Sequence, residues 1–279
     1  MSKGQWLAIL GCVALGASLY VFGERTNLSN NEKQLTGTET PSPKNFDEAK
    51  LIANAKESLN AQDAKKIALL EKALEKVDSK PDKTVAIEQI IGFWEAQTRW
   101  EASAIYHQKK AQLTNSAIDW ADAASRYLAA ADMVPDATLQ AEIKQKALAS
   151  FEKASSLEPQ NIDLKADLGN AYTLCTPQNP MKGVIMLREI VAKDSTNLRA
   201  NFHLAQLAVR SGQMDKAINR FAKIVRMYPA FPDAYLGLGE AYYQTGDNKQ
   251  AKEILMQYKA LVKDPSITQQ VDAFLKQIK

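Results

Sequence analysis

Residues 201–262 decide the fold, and they read NFHLAQLAVRSGQMDKAINRFAKIVRMYPAFPDAYLGLGEAYYQTGDNKQAKEILMQYKALV. Apolar residues recur here at spacings of three and four, which is the period of an amphipathic helix. The stretch also repeats itself, because Gly239 follows Ala205 by 34 residues in an equivalent position. The other matching positions are Asn201 and Tyr235, Leu204 and Leu238, Ala208 and Tyr242, Ala217 and Ala251, Phe221 and Leu255, and Ile224 and Tyr258. This pattern predicts consecutive units of two helices each.

Two further units precede this stretch. Leu168, Gly169 and Tyr172 open one of them, and Ala205 follows Gly169 by 36 residues because the turn at 176–180 carries two extra residues. An earlier unit begins at Trp120 and ends at Pro159. That unit contains an insertion of about 11 residues around 133–142, which predicts helices longer than those of the later units.

The pattern resembles the tetratricopeptide-repeat (TPR) family. The signature of that family places Trp or Tyr, then Leu-Gly and Tyr, on a first helix, and Ala, a large apolar residue, Ala and Pro on and after a second. The match covers residues 116–263, and residues 264–279 predict a capping helix through Val271, Phe274, Leu275 and Ile278. The resemblance implies an all-α solenoid of antiparallel helix pairs that stack side by side.

The preceding residues, 46–115, predict helical pairs with degenerate signatures. Apolar periodicity marks helices at about 47–59, 61–77, 82–99 and 100–113, with breaks at Asn60, at 78–81 and at 114–115. We expect these helices to form two antiparallel pairs, the first helix with the second and the third with the fourth.

The N-terminus predicts a transmembrane anchor over residues 1–23. Residues 6–22 carry no charge, and a helix of this length reaches about 25 Å, against a hydrocarbon core of about 30 Å. Trp6 and Tyr20 stand near its ends, where aromatic rings favour the headgroup level. A cleaved secretory signal and a lipoprotein signal ending at Cys12 are the alternatives.

A polar linker is predicted to follow the anchor. Residues 24–45 read ERTNLSNNEKQLTGTETPSPKN, which contains too few large apolar residues to offset the entropy of ordering. We therefore expect a single-pass membrane protein, in the bacterial inner membrane with the C-terminal body in the periplasm.

Composition and motifs argue against several classes of function. The net charge is +3 with no basic run, which does not support nucleic-acid binding. The cysteines are Cys12 and Cys175 and the histidines are His107 and His203, none of them at metal-ligand spacing. No phosphate-binding glycine loop or catalytic motif occurs. We expect no catalytic residue, no cofactor, no metal and no small-molecule substrate; an enzyme site within 46–113 is the alternative, although that region offers no constellation.

The resemblance further implies a concave groove, lined by the first helix of each unit, that receives protein or peptide partners. The aligned positions place ten residues in it, which are Asp163, Asn170, Thr173, Arg199, Phe202, Gln206, Val209, Leu236, Glu240 and Tyr243. Six of them are predicted contacts: Asn170, Arg199, Phe202, Gln206, Leu236 and Tyr243. Phe202 and Tyr243 are favoured because exposed aromatic residues are common contact anchors. A clamp for a C-terminal carboxylate is not favoured, since Ala166, His203 and Gly237 depart from it.

These features together predict a membrane-tethered scaffold or adaptor whose groove binds protein or peptide partners. The alternative is a dedicated accessory factor for assembly of one envelope complex, in cytochrome maturation, secretion or cell division.

Overall fold

The computed structural model describes residues 46–278, which contain thirteen α-helices and no β-strand. The all-α prediction is therefore confirmed for this part of the chain. The helices are α1 (Glu48–Glu57), α2 (Ala61–Lys76), α3 (Lys80–Ala96), α4 (Trp100–Thr114), α5 (Ala117–Met133), α6 (Ala137–Leu157), α7 (Ile162–Cys175), α8 (Met181–Lys193), α9 (Leu198–Arg210), α10 (Met214–Met227), α11 (Pro232–Thr245), α12 (Asn248–Leu261) and α13 (Pro265–Leu275).

The helices stack as a solenoid of antiparallel pairs. Helix α5 packs on α6, α7 on α8, α9 on α10 and α11 on α12, and each pair also packs on the next. The first helices of the last three pairs touch each other, because α9 contacts both α7 and α11. These three helices therefore line one continuous face of the stack.

Short polar side chains fix where the helices of this face begin. The Oδ1 atom of Asn161 accepts hydrogen bonds from the first turn of α7, and Asn197 does the same for α9 at 2.8 Å from the amide nitrogen of Ala200. Such caps satisfy backbone donors that a helix cannot satisfy itself. Helix α11 ends at Gly246, whose φ of 83° is left-handed and favours glycine. The sequence thus sets helix length locally.

Small residues set the distance between paired helices. Helix α8 crosses α7 where Gly183 meets Gly169, so closely that a Cβ on Gly183 would lie 2.1 Å from the carbonyl oxygen of Gly169. The buried side chain of Leu187 then packs beside Gly169. The two helices of this pair therefore approach each other closely where both carry glycine.

Helix α1 does not pair with α2, so the predicted pairing of the first two helices is wrong. It lies on α4 instead, and only its last turn reaches α2, where Lys56 pairs with Glu71. The carboxylate of Glu48 accepts hydrogen bonds from Gln108 of α4 at 3.1 Å and from Lys146 of α6 at 3.0 Å. The apolar side chains before and within α1, those of Phe46, Leu51 and Ile52, join the core that α4, α5 and α6 share. Burial of these side chains decides where α1 docks.

The predicted anchor at 1–23 and linker at 24–45 lie outside the described residues. Between residues 46 and 278, none of the helices has both the length and the apolar character that crossing a bilayer requires.

Candidate functional site

The candidate site is the face formed by α7, α9 and α11, called here the groove. Four of the six predicted contacts lie on it with part of their surface free. Arg199 is exposed, and Asn170, Phe202 and Gln206 are partly buried. Their positions follow from helix register, since Asp163, Asp167 and Asn170 recur at four and three residues along one side of α7.

Arg199 is already engaged within the protein. Its Nη1 atom donates to Oδ2 of Asp167 at 2.5 Å, and Nε2 of His203 lies 2.9 Å from Oδ1 of the same carboxylate. Asp163 lies 3.7 Å from the Arg199 Nε atom. Although burial opposes ionisation of Asp167, its hydrogen bonds with His203 and Arg199 hold its pKa below the usual range. Asp167 was not predicted from the sequence; its signal was an acidic residue directly between apolar or small residues, Ala166, Leu168 and Gly169.

An aromatic cluster occupies the middle of the groove. The ring of Phe202 meets the ring of Phe231 edge-on, with centroids 5.2 Å apart, and meets Phe221 in the same way at 5.9 Å. Phe221 is buried, whereas Phe202 and Phe231 keep part of their surface. These two rings therefore offer an apolar contact area between α9 and the start of α11.

One polar atom of the groove is buried without a hydrogen-bond partner. The Oδ1 atom of Asn170 has no donor within reach among the described residues. Buried acceptors in folded proteins are nearly always paired, and a lone one carries a desolvation cost of about 1–3 kcal/mol. The side-chain oxygen of Asn170 is therefore not satisfied by the described residues around it.

Arg210, at the end of α9, was also missed by sequence reasoning. Its Nη2 atom donates to the hydroxyl oxygen of Thr173 at 3.2 Å, and burial lowers its pKa. No carboxylate of the described chain lies within 4.0 Å of its guanidinium group. Thr173 was placed in the groove by the sequence, and this hydrogen bond joins it to α9.

Glu240 of α11, unlike Asp167, has no charged partner among the described residues. It is partly buried and makes no hydrogen bond or ion pair with the other described residues. Burial raises the pKa of its carboxyl group to about 7. Asp233, seven residues earlier on the same helix, also has a pKa raised by burial.

Leu236 and Tyr243 do not offer a free contact surface. Leu236 is 1% exposed and belongs to the core that α11 shares with α12 and α13. Tyr243 is partly buried, with its ring edge-on to Phe274 of α13 at a centroid distance of 5.0 Å. The predicted role of Leu236 as a groove contact is therefore corrected, because the capping helix covers this part of α11.

Cys175 lies in the core below the groove. Its thiol is 2% exposed, and burial raises its pKa to about 12. A thiol in this state is a poor nucleophile. Among residues 46–278, no group of three His, Cys, Asp or Glu side chains is arranged to hold a metal ion.

Comparison with known proteins identifies the repeats. The tetratricopeptide repeat family model matches residues 208–269. A tetratricopeptide repeat protein from Parabacteroides merdae shares the fold at a TM-score of 0.50 and 16% identity, over 82% of this chain and 86% of that one. A thermophilic TPR protein of Thermus thermophilus gives 0.48 at 18% identity, over 71% and 100% of the two chains. PilW, a type IV pilus biogenesis factor, gives 0.44 at 16% identity, over 70% and 92%.

The Parabacteroides structure, at 16% identity, bears on the fold alone. No curated protein matches the sequence. The repeat signature, the family match over 208–269 and the stacked helix pairs agree with one another. Residues 208–269 thus match the tetratricopeptide repeat family, and they lie within a stack of helix pairs that has the same fold.

Proposed function

We propose that this protein is a scaffold that binds a protein or peptide segment in the groove of α7, α9 and α11. The observation that carries the proposal is the buried Oδ1 atom of Asn170, which lacks a partner among the described residues. A backbone N–H of a bound segment would supply the missing donor once the Asn170 side chain turns its oxygen towards the groove, and this would remove the desolvation cost. Packed helices of repeat proteins commonly serve as such extended binding surfaces.

The side chains around Asn170 in the groove are suited to binding a segment rather than to catalysis. Phe202 and Phe231 supply an apolar area on which a side chain of the segment would rest. Gln206, one turn along α9 from Phe202, adds an amide that donates and accepts. Arg199 contributes little free positive charge because Asp167 and Asp163 neutralise it. The groove is therefore built for a segment with an apolar side chain and a free backbone amide, not for a bare carboxylate.

Photo-crosslinking in cells tests the groove directly. A photoreactive phenylalanine at Gln206 should form crosslinks to a partner, whereas the same group at Met256, which is 58% exposed on α12, should not. Crosslinking at Gln206 should fall when Asn170 or Phe202 is changed to alanine, in variants whose circular dichroism matches the parent. Equal crosslinking at both positions would argue against the groove.

The number of crosslinked partners distinguishes the two forms of this function. Several partners would indicate a general scaffold, and one dominant partner would indicate a factor dedicated to one envelope complex.

We further propose that residues 1–23 hold the protein in a bacterial inner membrane with the helical body in the periplasm. The support is the uncharged stretch at 6–22 with its flanking aromatic residues. Protease added to spheroplasts should digest the body, and the same protease added to intact cells should leave it whole. Recovery of the chain in the soluble fraction, or protection in spheroplasts, would contradict this localisation.

A further inference from the structure

Asp167 and Glu240 both lie in the groove, but they differ in their contacts within the protein. Asp167 on α7 is 8% exposed and contacts both Arg199 and His203, so its negative charge is compensated inside the protein. Glu240 on α11 is partly buried and has no cation within ion-pair distance among residues 46–278. A carboxylate withdrawn from water without a counter-charge is costly, and proteins seldom keep one without a reason.

Glu240 lies on a helix whose other residues are largely buried. Residues 234–239 and 241 of α11 are buried, and Asp233 lies on the same side of the helix as Glu240 because the two are seven residues apart. The hydroxyl of Tyr258 on α12 is near enough to feel both carboxylates, and they help burial to raise its pKa. Burial alone accounts for the raised pKa of Glu240, with no contribution from a charged side chain of the described chain.

We propose that Glu240 receives a lysine or arginine side chain of the segment that binds in the groove. The inference rests on the proposed function and adds the chemistry of the ligand to it. A basic side chain would supply the counter-charge that Asp167 obtains from Arg199 and that Glu240 lacks. Asp233 shares this face of α11 and adds to the negative charge there.

The position of the aromatic cluster adds a second feature to the ligand. Phe231 lies immediately before α11 and packs against Phe202 of α9. Because Phe231 precedes Asp233 by two residues, the apolar area and the acidic side of α11 adjoin. The ligand therefore carries an apolar residue close to its lysine or arginine.

Binding of such a segment should release a proton. Burial raises the pKa of the Glu240 carboxyl group to about 7, so part of the free protein carries this group protonated at pH 7. A cation placed beside it favours the ionised form, so the proton leaves as the basic side chain arrives. Binding at pH 7 should therefore release less than one proton per bound segment.

A peptide selection tests the inference. A random dodecapeptide phage library is selected on the immobilised full-length chain, on Glu240→Gln, and on Glu253→Gln as a control with an exposed glutamate on α12. The parent and the control should enrich lysine or arginine next to an apolar residue, and Glu240→Gln should lose the basic enrichment. The selected peptide should bind Glu240→Gln about tenfold or more weakly, which is the usual loss for a charge-assisted hydrogen bond.

Two readouts separate this inference from the proposed function. Peptides whose binding needs Asn170 and Phe202 but shows no basic preference would overturn the role of Glu240 and leave the groove intact. A selection that yields no peptide dependent on Asn170 would overturn both. Calorimetry of the selected peptide in two buffers of different ionisation enthalpy should report proton release for the parent and none for Glu240→Gln; equal release by both also overturns the inference.

The chain itself is the competing source of a cation. A synthetic peptide of residues 24–45 contains Arg25, Lys33 and Lys44. If this peptide bound in a Glu240-dependent way, the site would belong to the protein's own N-terminal segment, and the assignment to a partner would be wrong.

Discussion

Changing Gly183 to alanine should separate α7 from α8. The new Cβ would lie 2.1 Å from the carbonyl oxygen of Gly169, 2.8 Å from Cγ2 of Thr173 and 2.9 Å from the Thr173 amide nitrogen. Favourable contacts between non-bonded heavy atoms begin at about 3.5 Å for carbon. Two of the three atoms belong to the backbone of α7, so a side-chain rotation cannot relieve the contact. The two helices must move apart by about 1 Å, which removes a quarter to a half of the attraction between the atoms that face each other.

The loss exceeds the gain that alanine brings to a helix. Alanine favours a helix over glycine by about 1 kcal/mol. Overpacking of a core costs about 1–3 kcal/mol and more when the backbone has to move. The fully buried Leu187 lies in the same contact, so separation also loosens its packing. We expect a net destabilisation of about 2 kcal/mol, and a fall in Tm of about 4–8 °C for a folded body of this size.

Gly92→Ala is the matched control. Gly92 lies inside α3 and is exposed, and a Cβ added to it would meet no atom within 4 Å. This change should stabilise the protein by about 0.5–1 kcal/mol through helix propensity alone. Urea unfolding followed by circular dichroism, with the slope checked for each variant, measures both. If the two variants shift the midpoint in the same direction, the close helix contact at Gly183 does not exist.

Four further predictions use the same unfolding measurement. His203→Ala should lower the free energy of unfolding by about 1–2 kcal/mol at pH 7, because it removes a partner of Asp167. The lowered pKa of Asp167 in the folded state stabilises the protein at neutral pH, and this contribution is lost as the pH falls below about 4. Asp167→Asn should therefore make the free energy of unfolding depend less on pH in that acidic range. Glu240→Gln should stabilise the free protein by about 1–3 kcal/mol at pH 8 but much less at pH 4, because its raised pKa costs stability only where the unfolded chain is ionised. Ile52→Ala should cost about 2 kcal/mol if α1 docks on α4, against less than about 0.5 kcal/mol for Leu69→Ala, which is 68% exposed.

The repeat signature was sufficient to predict the stacked pairs, because it encodes contacts between neighbouring helices. Gly239 meets Leu255 and Gly169 meets Leu187, and in each case a small residue on a first helix faces a large one on the second. The spacing of these residues in the sequence is therefore enough to predict such a contact. Helix α1 carries an apolar side as well, but its pattern specifies only that this side is buried and not which helix buries it. The choice of α4 depends on space left between α4 and α6, where Glu48 reaches Gln108 and Lys146.

For the groove residues too, the sequence predicts their position on a helix but not their partners on other helices. Helix register is enough to place Asn170, Arg199, Phe202 and Gln206 on the first helices. Register does not reveal that Arg199 is neutralised, because the partner Asp167 lies on the preceding helix, 32 residues away. The positive charge of Arg199, which appears available from the sequence, is therefore paired within the fold. The carboxyl group of Glu240 is the one that lacks a charged partner among the described residues.

The last unit differs from the others for a reason that no repeat alignment contains. Alignment treats α11 as equivalent to α7 and α9, yet the pair of α11 and α12 is followed by the single helix α13. Phe274 of α13 packs on Tyr243, and Leu236 belongs to the same core cluster. The capping helix thus takes the place that the first helix of another unit would occupy, and it ends the accessible part of α11. Glu240 lies on the same side of α11, between Leu236 and Tyr243. A bound segment that reaches this position would meet an uncompensated carboxyl group next to the capping helix, which favours a basic residue of the segment there.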